Sequence, residues 1–246
     1  MRITFVFLLL HMILQEGFAQ ESLLSDIGKL QNDRFNGGEC LDFLRAGYLE
    51  GLDEGQLQQI IIIRHGEPAM NKKGWKNRKE AIRYTEMYDS VGVYYFDEKP
   101  VCLRSCDKTL IFTSKLPRAI NTAEKTMGDD EQFESLALFN EFERKVITFP
   151  NITLPRQFWS ITTRAVWMMG FNDQGIESFG EAKSRAGRAA AFLDEKALSN
   201  EQVLLFAHGF LNRYIKKYLK KSGYQTLDLN GQKYLGAYYF YKLKTE

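Results

Sequence analysis

Two short stretches carry the residues best suited to chemistry. "IIIIRHGEPAMN", residues 60 to 71, sets Arg64 and His65 directly behind four isoleucines, and "QVLLFAHG", 202 to 209, sets His208 behind another apolar run. Both histidines are followed by glycine. The chain has three histidines, and the third, His11, falls in an N-terminal segment expected to be removed. Two of two remaining histidines in one strand–His–Gly setting is a pattern that packing alone does not call for. A neutral imidazole nitrogen is a competent nucleophile towards phosphorus and forms a phosphohistidine. A second histidine aimed at the same group can donate a hydrogen bond to its oxygens. Arg64 adds a planar fork of donors suited to phosphate. Gly209 lets the backbone come close, and a helix after it presents free N–H groups and a positive dipole end. Neighbouring cations disfavour protonation of His65 and keep the nucleophile neutral. The chemistry these residues suit is phosphoryl transfer.

The elements that must hold them follow from the apolar pattern. Four consecutive β-branched residues read as a strand buried on both faces, as in the middle of a parallel sheet. Such strands end at the rim where loops gather ligand groups. The strand is expected over Gln59–Arg64, with a basic polar loop, "NKKGWKNRKE", from Asn71 and a helix near Tyr84–Val91. "KTLIFTS", 108 to 114, is a second buried strand, followed by a helix near Arg118–Met127 with Pro117 in its first turn. "SLALFN", 135 to 140, is a third apolar run. Residues 145 to 176 show no clean period and read as an insertion. Alanine content and spacing predict a helix over 179–198. After the strand ending at His208, Phe210, Leu211, Tyr214, Ile215, Tyr218 and Leu219 share one face of an amphipathic helix. "YLGAYYFYKL" closes the chain as a strand. Strands alternating with helices give an α/β layered sheet.

Bulk properties narrow the class. The length of 246 residues suits one α/β domain with insertions. A composition 44% hydrophobic and 26% charged is that of a globular protein with a substantial core. A net charge of +2 gives no electrostatic case for nucleic acid. "MRITFVFLLLHMILQEGFA", residues 1–19, has Arg2, an apolar run from Ile3 to Leu14, and small residues at Gly17 and Ala19, the layout of a secretory signal cleaved near Ala19. The apolar run falls short of the roughly 20 residues that cross a bilayer. The expectation is therefore an exported chain, periplasmic or extracellular, with no stable membrane span after cleavage. Residues 20–57 read as a helical lead-in and 58–246 as the main domain, with the insertion at about 145–176. Cys40, Cys102 and Cys106 permit one disulfide, the nearest pair being Cys102 and Cys106, and leave at least one thiol unpaired. A structural zinc site usually takes four close ligands, so neither metal nor other cofactor is expected.

"RHGEPAMN" resembles the signature of the histidine phosphatase superfamily, the phosphoglycerate mutase-like proteins. The resemblance implies that Asn71, six residues after His65, helps hold phosphate. Pro68 stands where the family usually has threonine. "SKLPRAINTA" is similar to the family's next element, with Ser114, Arg118, Ala119, Thr122 and Ala123 matching, and implies that Arg118 is a second phosphate-binding arginine. "ESFGEAKSRAGRAAAFL" and "VLLFAHGFLNRY" resemble the C-terminal block with its second histidine, His208. The likeness spans roughly residues 58 to 243. It implies a three-layer α/β sandwich with a mostly parallel central sheet flanked by helices. Its phosphate group would be bound by Arg64, Asn71, Arg118, His208 and Gly209.

An alkoxide leaving group needs a proton, so a carboxylic acid is expected at the site. The family supplies it after the strand that follows the Arg-Ala helix, where this chain reads "LALFNEFERK". Glu141 is preferred and Glu143 is the alternative, extended spacing placing both on one face; Glu143 could instead pair with Arg144 or Lys145. Glu67 is a weaker option. Phe158, Trp159, Trp167, Met168 and Met169 could shape a leaving-group pocket or simply pack the insertion. Lys72, Lys73, Lys76, Arg78 and Lys79 could draw in polyanions or form a solvated loop. The leading expectation is a phosphatase acting on small-molecule phosphate monoesters. The alternatives are a phosphoglycerate mutase-type phosphotransferase and a non-catalytic phospho-ligand-binding module of the same fold.

Overall fold

The structure, a computed structural model, describes residues 57–97, 109–128, 131–148, 150–200 and 202–244. The expected signal segment, the lead-in up to residue 56 and all three cysteines lie outside the described residues.

The isoleucine run does become the middle of a sheet. β1 (Leu57–Arg64) is buried along its length except at Arg64, and each fully buried isoleucine contributes on the order of 1.5–3 kcal/mol. β3 (Thr109–Ser114), β4 (Glu134–Leu136), β6 (Gln202–Ala207), β7 (Gln225–Leu229) and β8 (Ala237–Leu243) complete a six-stranded sheet in the order β4-β3-β6-β1-β8-β7. The neighbours β4-β3, β3-β6 and β6-β1 are parallel, whereas β8 runs antiparallel to both β1 and β7. A separate two-stranded pair joins β2 (Trp75–Lys76) to β5 (Leu154–Pro155). This is the mostly parallel α/β sheet expected.

Alternate residues of β1 serve opposite faces. Ile60 and Ile62 join one core cluster with Val203 and Leu205 of β6, Ala182, Ala186 and Leu193 of α4 (Phe179–Ser199), and Leu211 and Ile215 of α5 (Gly209–Lys221). Ile61, Ile63, Leu204 and Phe206 are equally buried and point the other way. There α2 (Pro117–Met127) packs on β3 and β6, with Ala119 and Ala123 fully buried. The small side chains of α2 and α4 let both helices lie close to the sheet. Pro117 occupies the first turn of α2, where its missing N–H costs nothing.

Three local expectations are corrected, and one strand had not been anticipated. The helix expected near Tyr84 starts earlier, as α1 (Arg78–Ser90), because Asn77 and Glu80 form a capping box. The aperiodic insertion contains a helix, α3 (Arg156–Met168), whose buried residues are Trp159, Thr163 and Trp167. The edge strand β7 gave no sequence signal, being partly exposed along its length. The last strand begins at Ala237, because residues 230 to 236 form a turn with Asn230 and Leu235 at positive φ.

Candidate functional site

Three adjacent parallel strands end side by side, each delivering one polar side chain. β3 ends in Ser114, β6 is followed by His208, and β1 is followed by His65. The register pairs Arg64 with Ala207, and the His65 N–H donates to Ala207 O at 3.0 Å. Two histidines far apart in sequence are thereby locked together, their ring centroids 5.0 Å apart. Both are buried.

Each imidazole has one nitrogen engaged. His65 Nδ1 lies 2.7 Å from Gly66 O. A carbonyl can only accept, so Nδ1 carries the proton of the neutral ring and Nε2 is the bare nitrogen. His208 Nε2 lies 2.6 Å from Ser114 Oγ, while its Nδ1 is buried without a partner. Burial, more than charge, pushes the pKa of His65 well below its ordinary 6.5, with Arg118, Arg64 and Lys72 adding to the depression and the Gly66 carbonyl opposing it. The expectation that His65 is neutral holds in direction, with burial the larger cause. His208 is likewise lowered, by burial first and then by Arg118, His65 and Arg64.

Arg118 is wholly buried at the start of α2. Its Nη1 donates to Tyr88 O at 2.8 Å and to Asp89 Oδ1 at 3.1 Å, and its guanidinium stacks 4.5 Å from the Tyr88 ring centre. Thr122 of the same motif ties the loop after β1 to this helix. Its hydroxyl donates to Arg118 O and accepts the Gly66 N–H at 2.9 Å. Arg64 Nη1 donates to Gln232 O, and its guanidinium lies 4.3 Å from the Tyr234 ring centre. Gly209 makes room for Arg64, since a Cβ there would sit 3.1 Å from Arg64 Nε. Among the described residues, Arg64 Nε, Arg118 Nε and Nη2, and His208 Nδ1 are buried without a partner. Orphaned donors of this kind cost about 1–3 kcal/mol each unless a ligand accepts from them.

Glu141 and Glu143 diverge. Glu141 lines the cleft; its carboxylate accepts from Phe142 N at 2.9 Å, Leu211 N at 3.0 Å and Phe210 N at 3.2 Å. Glu143 is exposed and accepts from Glu177 N at 2.7 Å, so the two carboxylates do not share a face. The N–H groups expected to be free at the start of α5 are thus partly taken by Glu141. Glu67 pairs with Lys72 at 2.5 Å. Asn71 is not brought into the cleft: it is exposed, with Oδ1 accepting from Lys73 N at 2.9 Å. Pro68 bridges Val93 instead of offering a hydroxyl.

The cleft has a volume of about 290 Å³, and Arg64, Lys72, Arg144, Arg156 and Arg164 all line it. Arg144, Arg156 and Arg164 were missed as site residues, since an arginine outside a motif reads as solvated surface. Burial and Arg144 lower the pKa of Arg164 to about 10, against the attraction of Glu141. Of the basic loop only Lys72 reaches the cleft; Arg78, for example, donates to Ile147 O. The aromatic residues of the insertion do not line it. Trp159 and Trp167 are buried in separate apolar clusters, and Met168 and Met169 are exposed.

The family model described as "Histidine phosphatase superfamily (branch 1)" matches residues 60–238. No curated protein matches the chain. Among solved structures, a phosphoglycerate mutase from Bacillus anthracis is similar at 15% identity and a TM-score of 0.45, covering 69% of this chain and 84% of that one. A phosphoserine phosphatase from Entamoeba histolytica is similar at 15% identity and a TM-score of 0.40, covering 76% and 95%. A mycobacterial glucosyl-3-phosphoglycerate phosphatase follows at 18% identity and a TM-score of 0.35, covering 67% and 80%.

Proposed function

The chain belongs to branch 1 of the histidine phosphatase superfamily, and on that premise we propose that it is an exported, metal-independent phosphatase that hydrolyses phosphomonoesters through a phosphohistidine on His65. The observation that carries the reading is the convergence of unpartnered donors from Arg64, Arg118 and His208 beside the bare Nε2 of His65. Four buried donors on side chains neighbouring His65 suit a phosphoryl group, whose oxygens accept from them. Export rests on the N-terminal pattern alone.

In the first half-reaction His65 Nε2 attacks phosphorus as the ester P–O bond breaks. Glu141 acts as the general acid that gives a proton to the departing oxygen, worth on the order of 10²–10⁴ in rate. Ser114 donates its hydroxyl hydrogen to His208 Nε2, leaving the His208 proton on Nδ1 to donate to a phosphoryl oxygen. Arg64 and Arg118 neutralise the charge on the transferring group. In the second half-reaction water attacks phosphorus, yields its proton to Glu141, and the P–N bond breaks to release phosphate and restore His65.

The test compares the wild-type protein with His65→Ala on an aryl phosphate, in the presence of a chelator, while trapping the intermediate under alkaline quench for mass spectrometry. Phosphate release falling by about 10³-fold or more in the variant, with a phosphorylated His65 peptide in the wild type, is expected. Equal rates would remove His65 from the mechanism. Transfer between hydroxyls without phosphate release would replace the hydrolase by a mutase.

A further inference from the structure

Tryptophan is seldom left in water, yet Trp75 is 66% exposed, while Trp159 and Trp167 are buried. The pairing of β2 with β5 fixes its direction. Lys76 lies opposite Leu154; Leu154 packs on the small core of Ala81, Val146 and Trp159, and Lys76 Nζ lies 5.6 Å from the Tyr84 ring centre. Alternation along the strand therefore sends Trp75, opposite Pro155, away from that core. Arg156 N donates to Gly74 O at 3.2 Å, which sets Trp75 beside the first turn of α3.

The helix α3 has three faces. Trp159, Thr163 and Trp167 are buried, and Arg156, Ser160 and Arg164 line the cleft. Ile161 and Met168, seven residues apart and so on one side of the helix, are exposed on the third. Met169 and Phe171, the latter 63% exposed, extend this row past the helix end, where Phe171 N donates to Val166 O at 3.1 Å. A helix of 13 residues is about 20 Å long, so an apolar row of that length runs from Trp75 to Phe171.

The charges beside the row have one sign. Residues 71–79 hold five lysines and arginines, residues 150–172 hold two, and neither stretch has an aspartate or glutamate. The whole chain, by contrast, sets 33 basic residues against 31 acidic ones. Lys73 and Lys79 flank Trp75 and are exposed. Glu80, the first acid beyond them, is held by the Asn77 N–H at 2.7 Å.

We infer that this row, with Lys73 and Lys79, is a docking surface for an anionic lipid bilayer. On it α3 lies flat, with Trp75, Ile161, Met168, Met169 and Phe171 in the headgroup layer and no segment crossing it. The lysines attract anionic headgroups, each strengthening binding by ~5-fold, and their apolar stems lie along the same interface as the tryptophan ring. A soluble polyanion would engage the lysines alone, whereas a bilayer also takes up the apolar row. None of these residues lines the cleft, so the docking surface stands apart from the phosphatase reading.

Trp75 is its own probe, because the other two of the three tryptophans are buried. The whole chain is titrated with vesicles of brominated phosphatidylcholine, alone or mixed with an equal amount of phosphatidylglycerol, and quenching of tryptophan emission is read. Attachment through another part of the chain leaves Trp75 unquenched. Quenching is expected at ~10-fold less lipid with the anionic vesicles than with the zwitterionic ones, and is expected to vanish in Trp75→Phe. Lys73→Gln combined with Lys79→Gln should raise the half-saturating lipid concentration by ~10-fold or more, and Ile161→Ser combined with Phe171→Ser by at least as much. The substitutions are at exposed positions, and circular dichroism checks that each variant is folded. No quenching at any composition, equal quenching with and without anionic lipid, or indifference to the lysine pair would each overturn the docking surface. An emission change on soluble polyglutamate as large as on anionic vesicles would replace the bilayer by an acidic protein.

Discussion

At the scale of single residues, the two imidazoles are governed by burial. A histidine whose folded pKa lies well below the unfolded value binds fewer protons folded than unfolded once pH drops below about 6.5. The contribution of His65 and His208 to stability is therefore complete above that pH and is lost as pH falls towards their folded pKa values. Denaturant midpoints at pH 8, 6 and 5 should decline, and the decline should be shallower in the variant His208→Gln; an equally steep decline would remove this linkage. The same depression keeps His65 unprotonated in mild acid. Glu141→Gln keeps the side-chain shape and one acceptor against α5 but cannot transfer a proton. It should lower kcat on alkyl phosphates by about 10²–10⁴, and by much less on esters of strongly acidic phenols, whose leaving groups need no proton. The motif residues His65, Arg118 and His208 were legible because each sits at a fixed offset from an apolar strand or a Ser-x-x-x-Arg-Ala pattern. The cleft arginines Arg144, Arg156 and Arg164 were not, because only the folded loop and helix bring them to the cleft.

At the scale of elements, the turn at residues 230–236 bears directly on Arg64 and His65. It donates Leu235 N to Arg64 O at 3.1 Å and accepts Arg64 N on Gly236 O at 2.9 Å. It also sets Tyr234 beside His65, at 5.6 Å between ring centres. A Cβ on Gly236 would come within 1.8 Å of Asn230 O, a backbone atom that cannot swing aside. Gly236→Ala should destabilise by about 1–3 kcal/mol and raise KM with it, read by urea denaturation and initial rates; unchanged values for both would mean the turn is free to adjust. Helix α3 escaped sequence reading for a physical reason. Its Phe, Trp, Ile, Thr and Val residues are middling helix formers, and its inward face mixes Trp159 and Trp167 with arginines and hydroxyls, so no apolar stripe stands out. The alanine spacing of α4 and the isoleucine run of β1, by contrast, are local signals and were read without the fold.

At the scale of the whole molecule, the layered parallel sheet could be anticipated from alternating elements, but the strand order could not. Nothing local states that β1 pairs with β6 and β8, because strand pairing is chosen by burial and crossover handedness over the complete chain. The central strands should exchange their amide hydrogens last. Residues 60–63 and 203–206 are fully or almost fully buried and paired in register, so their protection should report global unfolding, while β4 and β7 at the edges exchange sooner. Uniform exchange across the sheet in a hydrogen-exchange experiment would contradict this order. Both neighbours of β1 come from residues 202 onwards. A ribosome therefore releases His65 early and both strand neighbours of β1 last, and a nascent chain halted anywhere before β6 holds β1 unpaired in this sheet. Catalytic competence should appear abruptly, only when the final stretch has emerged. Two separately produced fragments divided after α4 should each be inert, and regain turnover only on mixing.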